Sequence, residues 1–367
     1  MFVALRDLRF AKGRFALMGA VVLLITLLVT MLSGLTAGLA QENISAISGL
    51  PADRIVFSTG KGPDGDPAKP SFSDSRITDK TWQEWRRTGG TSSAERLGIT
   101  MGRLTSGTDG ESGATAAVFG VQPGGELAEG SGGAVEAGKV VLSSGLAESS
   151  GLTTGAEVRI FGRDYTVAGT GGAASYSHTP VAWISIGDWE SMGRQGGADT
   201  VATVLALRTG SDRDLSATDE RLGTTTVALA DAPAAIGSFS SENGSLQLMR
   251  AFLFAISALV IGAFFTVWTI QRRGDVAVLK ALGASTAYLL RDALAQAVIV
   301  LLLGAGIGGA LGAGIGSLAQ GTVPFVLSPA TTVVPVAVMI LLGAAGAALA
   351  IRKITSVDPL TALGASR

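Results

Sequence analysis

Hydrophobic residues in this chain fall into three long stretches that contain no charged residue. They cover residues 15–40, 251–270 and 293–351. A helix needs about 20 apolar residues to cross the hydrocarbon core of a bilayer, so the third stretch is long enough for two crossings. It is interrupted at QGTVPFVLSPATT, where Pro324 and Pro329 disfavour a continuous helix. The pattern therefore predicts four transmembrane helices, at residues 15–40, 247–271, 288–319 and 331–351.

Basic residues flank these helices unevenly, and the asymmetry predicts their orientation. Clusters precede the first helix, separate the second from the third and follow the fourth, whereas the 320–330 loop has no charge. Because loops rich in lysine and arginine stay in the cytoplasm, both termini and the 272–287 segment are expected inside and residues 41–246 outside. The first helix also resembles a signal peptide with a cleavage site near TAGLAQ, but signal h-regions span only about 7–15 residues.

Polar segments complete the predicted domain organisation. Residues 1–14 place Phe2, Leu5 and Leu8 at a spacing of three, which suits an amphipathic helix at the inner membrane surface or an ordinary basic flank. Residues 41–246 alternate strand-like runs, glycine turns and short helices, which predicts an extracytoplasmic α+β domain. The remaining parts are a cytoplasmic segment at 272–287, an outer loop at 320–330 and a cytoplasmic tail at 352–367.

Short sequence segments predict individual helices and strands of the outer domain. TWQEWRRTG predicts a short helix, and KVVLSSGLAESSGL predicts a strand followed by a small helix. A β-hairpin is expected around Gly162 and Arg163, because glycine suits a tight turn. PVAWISIGDWESM reads as a strand leading into a helix, and residues 201–207 as one further strand.

Composition and charge exclude several function classes. Only 16% of the residues are charged, against about 25% in soluble domains, and the net charge of −1 implies no attraction to nucleic acid. The chain has no cysteine and a single histidine, His178, which excludes a cysteine nucleophile and a histidine-rich metal site. It contains neither a P-loop nor a G-x-S-x-G elbow. We therefore expect no enzyme activity and no permanently bound cofactor or structural metal.

The third predicted helix carries a glycine every fourth residue, at Gly304, Gly308, Gly312 and Gly316. This period places the glycines on one helix face, where a neighbouring helix can approach closely. Tight packing within the bundle is the simpler interpretation, and a sliding interface is the functional alternative.

Three segments resemble one known family. RRGDVAVLKALGAS follows the second span, RKITSVDPLTALG ends the chain, and VVLSSGLAESSGLTTGAEVRIFGRDYTVAG lies in the outer domain. Together they resemble the FtsX-like (MacB-type) permeases of ABC transporters, although Asp275 stands where glutamate is usual. The resemblance implies a bacterial cell-membrane permease that forms a homodimer. It also implies two copies of a separate cytoplasmic ATPase, which would supply the ATP hydrolysis.

Two further phrases, ALRDLRFAKGRFALMG and SHTPVAWISIGDWE, resemble the haem-exporting members of that family. This resemblance implies that haem, or another amphipathic molecule, is exported to relieve its toxicity. The alternatives are export of a lipid, glycolipid, lipoprotein or antimicrobial peptide. In each case the permease itself would contact membrane lipid. A third possibility is a mechanotransmission protein that moves no substrate and activates an extracytoplasmic partner, with Trp82 and Trp85 as a candidate docking surface.

The resemblance also points to two sites. The cytoplasmic segment is expected to dock on the ATPase as a short helix ended by Gly283, and its candidate contacts are Arg272, Asp275, Val276, Leu279, Lys280 and Leu282. A haem site needs an apolar slot, a cation for the propionates and an optional axial ligand. The candidates on the first and second spans are Met31, Gly34, Leu35, Arg250, Phe252 and Ile256.

Each haem candidate has a simpler structural interpretation. Met31 is a candidate iron ligand, but methionine also fills gaps in packed cores, which is the simpler interpretation. Gly34 is expected to leave space for the ligand, and Arg250 to meet a propionate at the outer rim. His178 is chemically the better iron ligand, yet it falls in the outer domain in a phrase that reads as structural.

Overall fold

The computed structural model describes residues 12–60, 68–106, 112–192, 199–209, 214–271, 274, 278–280 and 282–355. Its chain divides into two compact units. The membrane unit comprises Met1–Leu39 and Ser245–Arg367, and the outer unit comprises Ala40–Gly244. The predicted helix at residues 1–14 and the tail at 352–367 fall almost entirely outside the described residues.

The described helices and strands follow one another in this order. The helices are α1 Lys12–Ser48, α2 Asp79–Arg87, α3 Glu126–Glu129, α4 Ser144–Ser150, α5 Ile186–Ser191, α6 Ser216–Leu222, α7 Gly237–Gln271, α8 Thr286–Ala319 and α9 Pro329–Thr355. The strands are β1 Arg54–Ser58, β2 Ile77–Thr78, β3 Thr91–Ser106, β4 Ser112–Val121, β5 Lys139–Leu142, β6 Glu157–Ile160, β7 Arg163–Thr170, β8 Ser175–Tyr176, β9 Thr179–Ser185, β10 Thr200–Ala202, β11 Val204–Thr209 and β12 Thr224–Ala228.

Four helices, α1, α7, α8 and α9, are long and apolar enough to span a membrane. The predicted fold class, four such helices with an α+β domain inserted between the first two, is confirmed. The 37 residues of α1 correspond to about 55 Å of helix, well beyond the roughly 30 Å of bilayer core. Its last turns, ENISAIS, and the first turns of α7, GSFSSENG, are polar and belong to the outer unit.

The glycine face of α8 packs closely on α1, as the sequence predicts. A Cβ added at Gly304 would lie 3.0 Å from the carbonyl oxygen of Gly19, and one at Gly312 would lie 3.0 Å from Cβ of Thr30. At Gly308 an added Cβ would overlap the carbonyl of Leu23. The absence of side chains therefore lets the two backbones meet directly.

Apolar side chains from all four long helices form the core of the membrane unit. Deeply buried examples are Val22 and Val29 of α1, Ile261 and Phe265 of α7, Leu301 and Ala305 of α8, and Met339 and Ala347 of α9. Phe15 of α1 also makes an edge-to-face contact with Trp268 of α7, with ring centroids 6.0 Å apart. These contacts hold the four helices in one bundle.

The outer unit is built on one sheet that partly closes on itself. Strands β3, β4, β9, β5, β7 and β6 pair in that order, and β6 pairs again with β3. This ring encloses an apolar core that includes Val118, Leu142, Ile160 and Ile184. The 16-residue β3 also continues the sheet in the other direction, through β11 and β1 to the edge strand β12.

Local predictions for the outer domain are largely confirmed. Helix α2 forms within the TWQEWRRTG segment, as predicted. The β6–β7 hairpin turns at Phe161 and Gly162, one residue earlier than expected. The strand expected at 201–207 is two strands, because Thr203 turns its hydroxyl to the backbone of Ile99 and interrupts the run. Pro329 begins α9, where its missing N–H costs no hydrogen bond.

Candidate functional site

The outer half of α1 carries three of the predicted haem residues, and the structure changes the role of one. Met31 and Leu35 are half-buried on nearly the same helix face, since four residues correspond to about 400° of rotation. Gly34 does not leave space for a ligand, because the ring of Phe325 fills it. The amide of Val326 also donates to the carbonyl of Gly34 at 3.1 Å.

Phe325 comes from the uncharged loop between α8 and α9. Its ring is 7% exposed and lies between Gly34 of α1 and Gly316 of α8. The backbone of Pro324 occupies the corresponding space beside Gly38. The loop therefore seals the outer end of the glycine-lined contact between α1 and α8.

The outer half of α7 presents a continuous apolar face. Phe252 and Ile256 are 58% and 56% exposed and lie one turn apart on this face. Leu248, Met249 and Leu259 extend it, each more than half exposed. An apolar face of this length suits lipid, a second membrane helix or a flat apolar ligand.

Arg250 does not share that face. Phe252 is two positions further along the chain, which corresponds to about 200° around the helix axis. Arg250 and Phe252 of one chain therefore do not lie side by side on the helix. Arg250 can serve a propionate only at the rim, through its long side chain.

His178 lies in the outer unit and is engaged by two carboxylates. Its Nε2 is 2.7 Å from Oε2 of Glu242, and its Nδ1 is 3.9 Å from Oε2 of Glu42. The side-chain nitrogen of Asn43 is 3.1 Å from the same Nε2. Iron coordination by Nε2 of His178 would require its contacts with Glu242 and Asn43 to break. In this structure the histidine therefore connects α1, α7 and the β8–β9 turn.

Tyr176, next to this turn, is buried in the core of the outer unit. Its ring contacts those of Phe72 and Phe119, with centroids 5.8 and 5.7 Å apart. Burial raises the pKa of the phenol above its ordinary range. A phenolate ligand to iron is therefore disfavoured at this position.

The segment at residues 272–287, between α7 and α8, exposes apolar side chains where it is described. Val278 is 54% exposed, Leu279 36% and Leu282 80%. The amide of Ala284 donates to the carbonyl of Leu279, and Gly283 adopts a φ of 91°, so glycine ends this helical turn as predicted. Lys280 is partly buried. The predicted contacts Arg272, Asp275 and Val276 lie outside the described residues.

The tryptophans of α2 do not form a protruding docking surface. Trp85 is fully buried, and Trp82 packs beneath the guanidinium of Arg96, 4.1 Å from its ring. The indole N–H of Trp82 donates to the carbonyl of Ala94. The part of the chain that the structure describes also contains no group of three metal-ligating side chains.

Two protein families match most of this chain. Residues 15–225 match the MacB-like periplasmic core domain, and residues 248–359 match the FtsX-like permease C-terminal family. Together with the four spans and the inserted outer domain, these matches define a membrane permease subunit of an ABC transporter. The chain belongs to the MacB/FtsX-type permease family.

Individual relatives cover different shares of the chain. A Staphylococcus haemolyticus protein named "Putative hemin transport system permease protein HrtB" is 26% identical over 99% of both chains. An uncharacterized ABC transporter permease of Mycobacterium tuberculosis is 32% identical over 33% of this chain and 34% of its own. The periplasmic region of MacB from Actinobacillus actinomycetemcomitans is 12% identical, with a TM-score of 0.37, over 51% of this chain and 94% of that one.

Two features of the sites were not expected from the sequence. One is the ring of Phe325, whose only local signal is a single aromatic residue in a short uncharged loop. The other is the pairing of Glu242 and Asn43 with His178, which joins residues 64 and 135 positions apart. Acidic and amide residues near the ends of two spans are common, so no local pattern singles them out.

Proposed function

We propose that the protein is the permease of an ABC exporter that moves haem out of the cell as a homodimer. The observation that carries this proposal is the full-length similarity to a protein named as a hemin transport permease. The exposed apolar face around Phe252 supports it, because a porphyrin needs such a surface. Two copies of a cytoplasmic ATPase would drive the cycle, with both termini of the permease on the same side as the ATPase.

The haem slot is proposed between α1 and α7, at the height of the outer leaflet. Met31 would offer its thioether to the iron, and Leu35 on the same face would contact the porphyrin. Phe252 and Ile256, from the same or the second copy, would cover the opposite face. Arg250 would meet a propionate at the rim. The rest of the apolar surface of α7 would contact membrane lipid.

A haem titration of the purified permease tests this site. Met31→Ala is expected to shift the Soret band, because it removes the proposed axial ligand. Phe252→Ala is expected to weaken haem binding by about ten- to a hundredfold, since burying a phenylalanine side chain contributes about 1.5–3 kcal/mol. Leu341→Ala, at a 69% exposed position of α9, is the matched control and should bind haem like the parent protein.

The outcomes separate the candidate substrates. An unchanged absorption band in Met31→Ala, Arg250→Ala and His178→Ala would refute the site. A purified protein that binds no haem would instead favour export of a lipid, glycolipid or antimicrobial peptide. His178→Ala alone is expected to leave the band unchanged, because the imidazole is already engaged by Glu242.

We further propose that the cytoplasmic segment transmits the ATPase motion through its exposed apolar residues. Val278, Leu279 and Leu282 would enter a groove of the ATPase, and Lys280 with Arg272 and Asp275 would orient them. The double variant Leu279→Asp, Leu282→Asp is expected to abolish export and uncouple ATP hydrolysis while the chain still inserts into the membrane. Export by this variant at the parent rate would refute the role.

Ser285→Asp is the matched control for that variant. It adds a negative charge to the same segment, but aspartate can replace serine as the N-cap of α8. In the structure the hydroxyl of Ser285 accepts from the amide of Tyr288 at 3.2 Å. Transport by Ser285→Asp should therefore stay near the parent value, so that loss in the double variant reflects the apolar contacts rather than added charge.

A further inference from the structure

The turn between β8 and β9 holds two consecutive residues in the left-handed region. Ser177 has a φ of 51° and His178 a φ of 60°. Two-residue hairpin turns with this geometry strongly prefer Asn-Gly or similar pairs, because side chains with a Cβ are strained there. Strain of this kind persists only when the surroundings fix the backbone, and it concentrates at switch regions.

The backbone of this turn is bound to the end of α1. The amide of Ser177 donates to the carbonyl of Asn43 at 2.9 Å, and the amide of His178 donates to that of Glu42 at 3.2 Å. In β8, directly before the turn, the amide of Ser175 donates to the hydroxyl of Ser45 at 2.9 Å. The left-handed conformation thus turns successive N–H groups toward one helix.

The side chains of the turn bind the beginning of α7. The hydroxyls of Ser177 and Ser238 are 2.9 Å apart, and Ser238 also donates to Oδ1 of Asn43 at 2.9 Å. His178 contacts Glu242 one turn further along α7. Asn43 is only 1% exposed, whereas the carboxylates of Glu42 and Glu242 remain about half exposed. One short turn therefore contacts the ends of both helices that flank the outer unit.

We propose that, within the outer unit, the Ser177–His178 turn is a releasable joint between the β8–β9 hairpin and the polar ends of α1 and α7. In the joined state the turn keeps these two helix ends together. In the released state the contacts with α7 open, the strained backbone relaxes, and the helix ends can separate during the transport cycle. The proposal uses only the permease class of the protein and does not depend on which substrate is moved.

A disulfide across the joint tests whether it opens. The chain has no native cysteine, so Ser177→Cys with Ser238→Cys introduces the sole pair. Each sulfur would replace a hydroxyl oxygen, and these oxygens are 2.9 Å apart, close to disulfide geometry. In vesicles that contain the permease with its ATPase subunit, ATP hydrolysis is expected to fall about tenfold on oxidation, since a required conformational step is blocked. Reduction should restore it.

The matched control is a disulfide inside the sheet, Ser93→Cys with Arg208→Cys. These residues face each other on β3 and β11 and do not touch either helix end. Oxidation of this pair should leave ATP hydrolysis unchanged. The crosslink is verified by mass spectrometry. If the oxidised Ser177→Cys, Ser238→Cys variant still hydrolyses ATP at the full rate, the contact stays closed throughout the cycle and the proposal is overturned.

A second variant tests the same joint without a crosslink. Glu242→Gln removes the charge that faces His178 and is expected to favour the released state. Basal ATP hydrolysis should then rise about fivefold, a typical size for coupling between two sites. Glu157→Gln, at an exposed carboxylate of β6, should have no effect. Equal basal rates for Glu242→Gln and the parent would also overturn the proposal.

Discussion

Replacing Gly316 by alanine tests the packing of the outer loop most directly. An added Cβ at this position would overlap the ring of Phe325, and the ring has Gly34 on its other side. Because the ring is held between two helices, the loop must shift or the helices must part. Gly314, two residues earlier on α8, has no neighbouring atom within 4 Å of such a Cβ, so Gly314→Ala is the matched control.

The expected magnitude follows from two opposing effects. Overpacking of a well-packed contact costs about 1–3 kcal/mol, while replacing a helical glycine by alanine gains about 1 kcal/mol. Gly316→Ala should therefore lose about 1 kcal/mol of stability, whereas Gly314→Ala should gain up to about 1 kcal/mol. For a unit of this size, 1 kcal/mol corresponds to roughly 2–4 °C in the apparent unfolding temperature.

The assay is the fraction of monodisperse permease that survives heating in detergent, measured by size-exclusion chromatography. Adding Phe325→Leu to Gly316→Ala should recover part of the loss, because the smaller, flexible side chain leaves room for the methyl group. Phe325→Leu added to Gly314→Ala should give no such recovery. If Gly316→Ala is as stable as Gly314→Ala, the ring does not fill the space beside Gly316 and the reasoning fails.

Two further predictions concern the outer unit. Trp85→Ala should destabilise it by about 3–5 kcal/mol, because the side chain is fully buried; denaturant unfolding followed by circular dichroism measures this, and a loss below 1 kcal/mol would contradict the burial. Burial raises the pKa of Tyr165 to about 12, so its stabilising contribution is complete below the ordinary tyrosine pKa of about 10 and is lost as pH rises through about 12. Tyr165→Phe should remove the tyrosinate absorbance step near pH 12 and this alkaline loss of stability; an unchanged titration would refute the assignment.

The sequence predicts the membrane helices well because their signal is local. Uncharged runs of the required length and the prolines of the 320–330 loop are enough to place four spans, and the glycine period identifies the packed face of α8. The polar ends of α1 and α7 are different. Hydropathy stops near residue 40, but the helix continues to Ser48, because its polar turns are held by the outer unit rather than by lipid.

The candidate site is less predictable because its contacts join distant parts of the chain. The space at Gly34 is visible in the sequence, but nothing local indicates that Phe325 fills it. His178 is the single histidine of the chain and is chemically suited to bind a metal, but the sequence does not show that it contacts two carboxylates. Its partners Asn43 and Glu242 become neighbours only when the β8–β9 turn folds against two separate helix ends.

The pairing of β1 determines when the outer domain can be completed during synthesis. β1 lies at residues 54–58, but its two neighbours in the sheet are β11 and β12, about 150 residues later in the chain. By contrast, the β3–β4 and β6–β7 hairpins pair with nearby residues and can form as soon as they leave the translocation channel. The first strand to emerge is therefore among the last to find its partners, and until then its unpaired edge is open to aggregation.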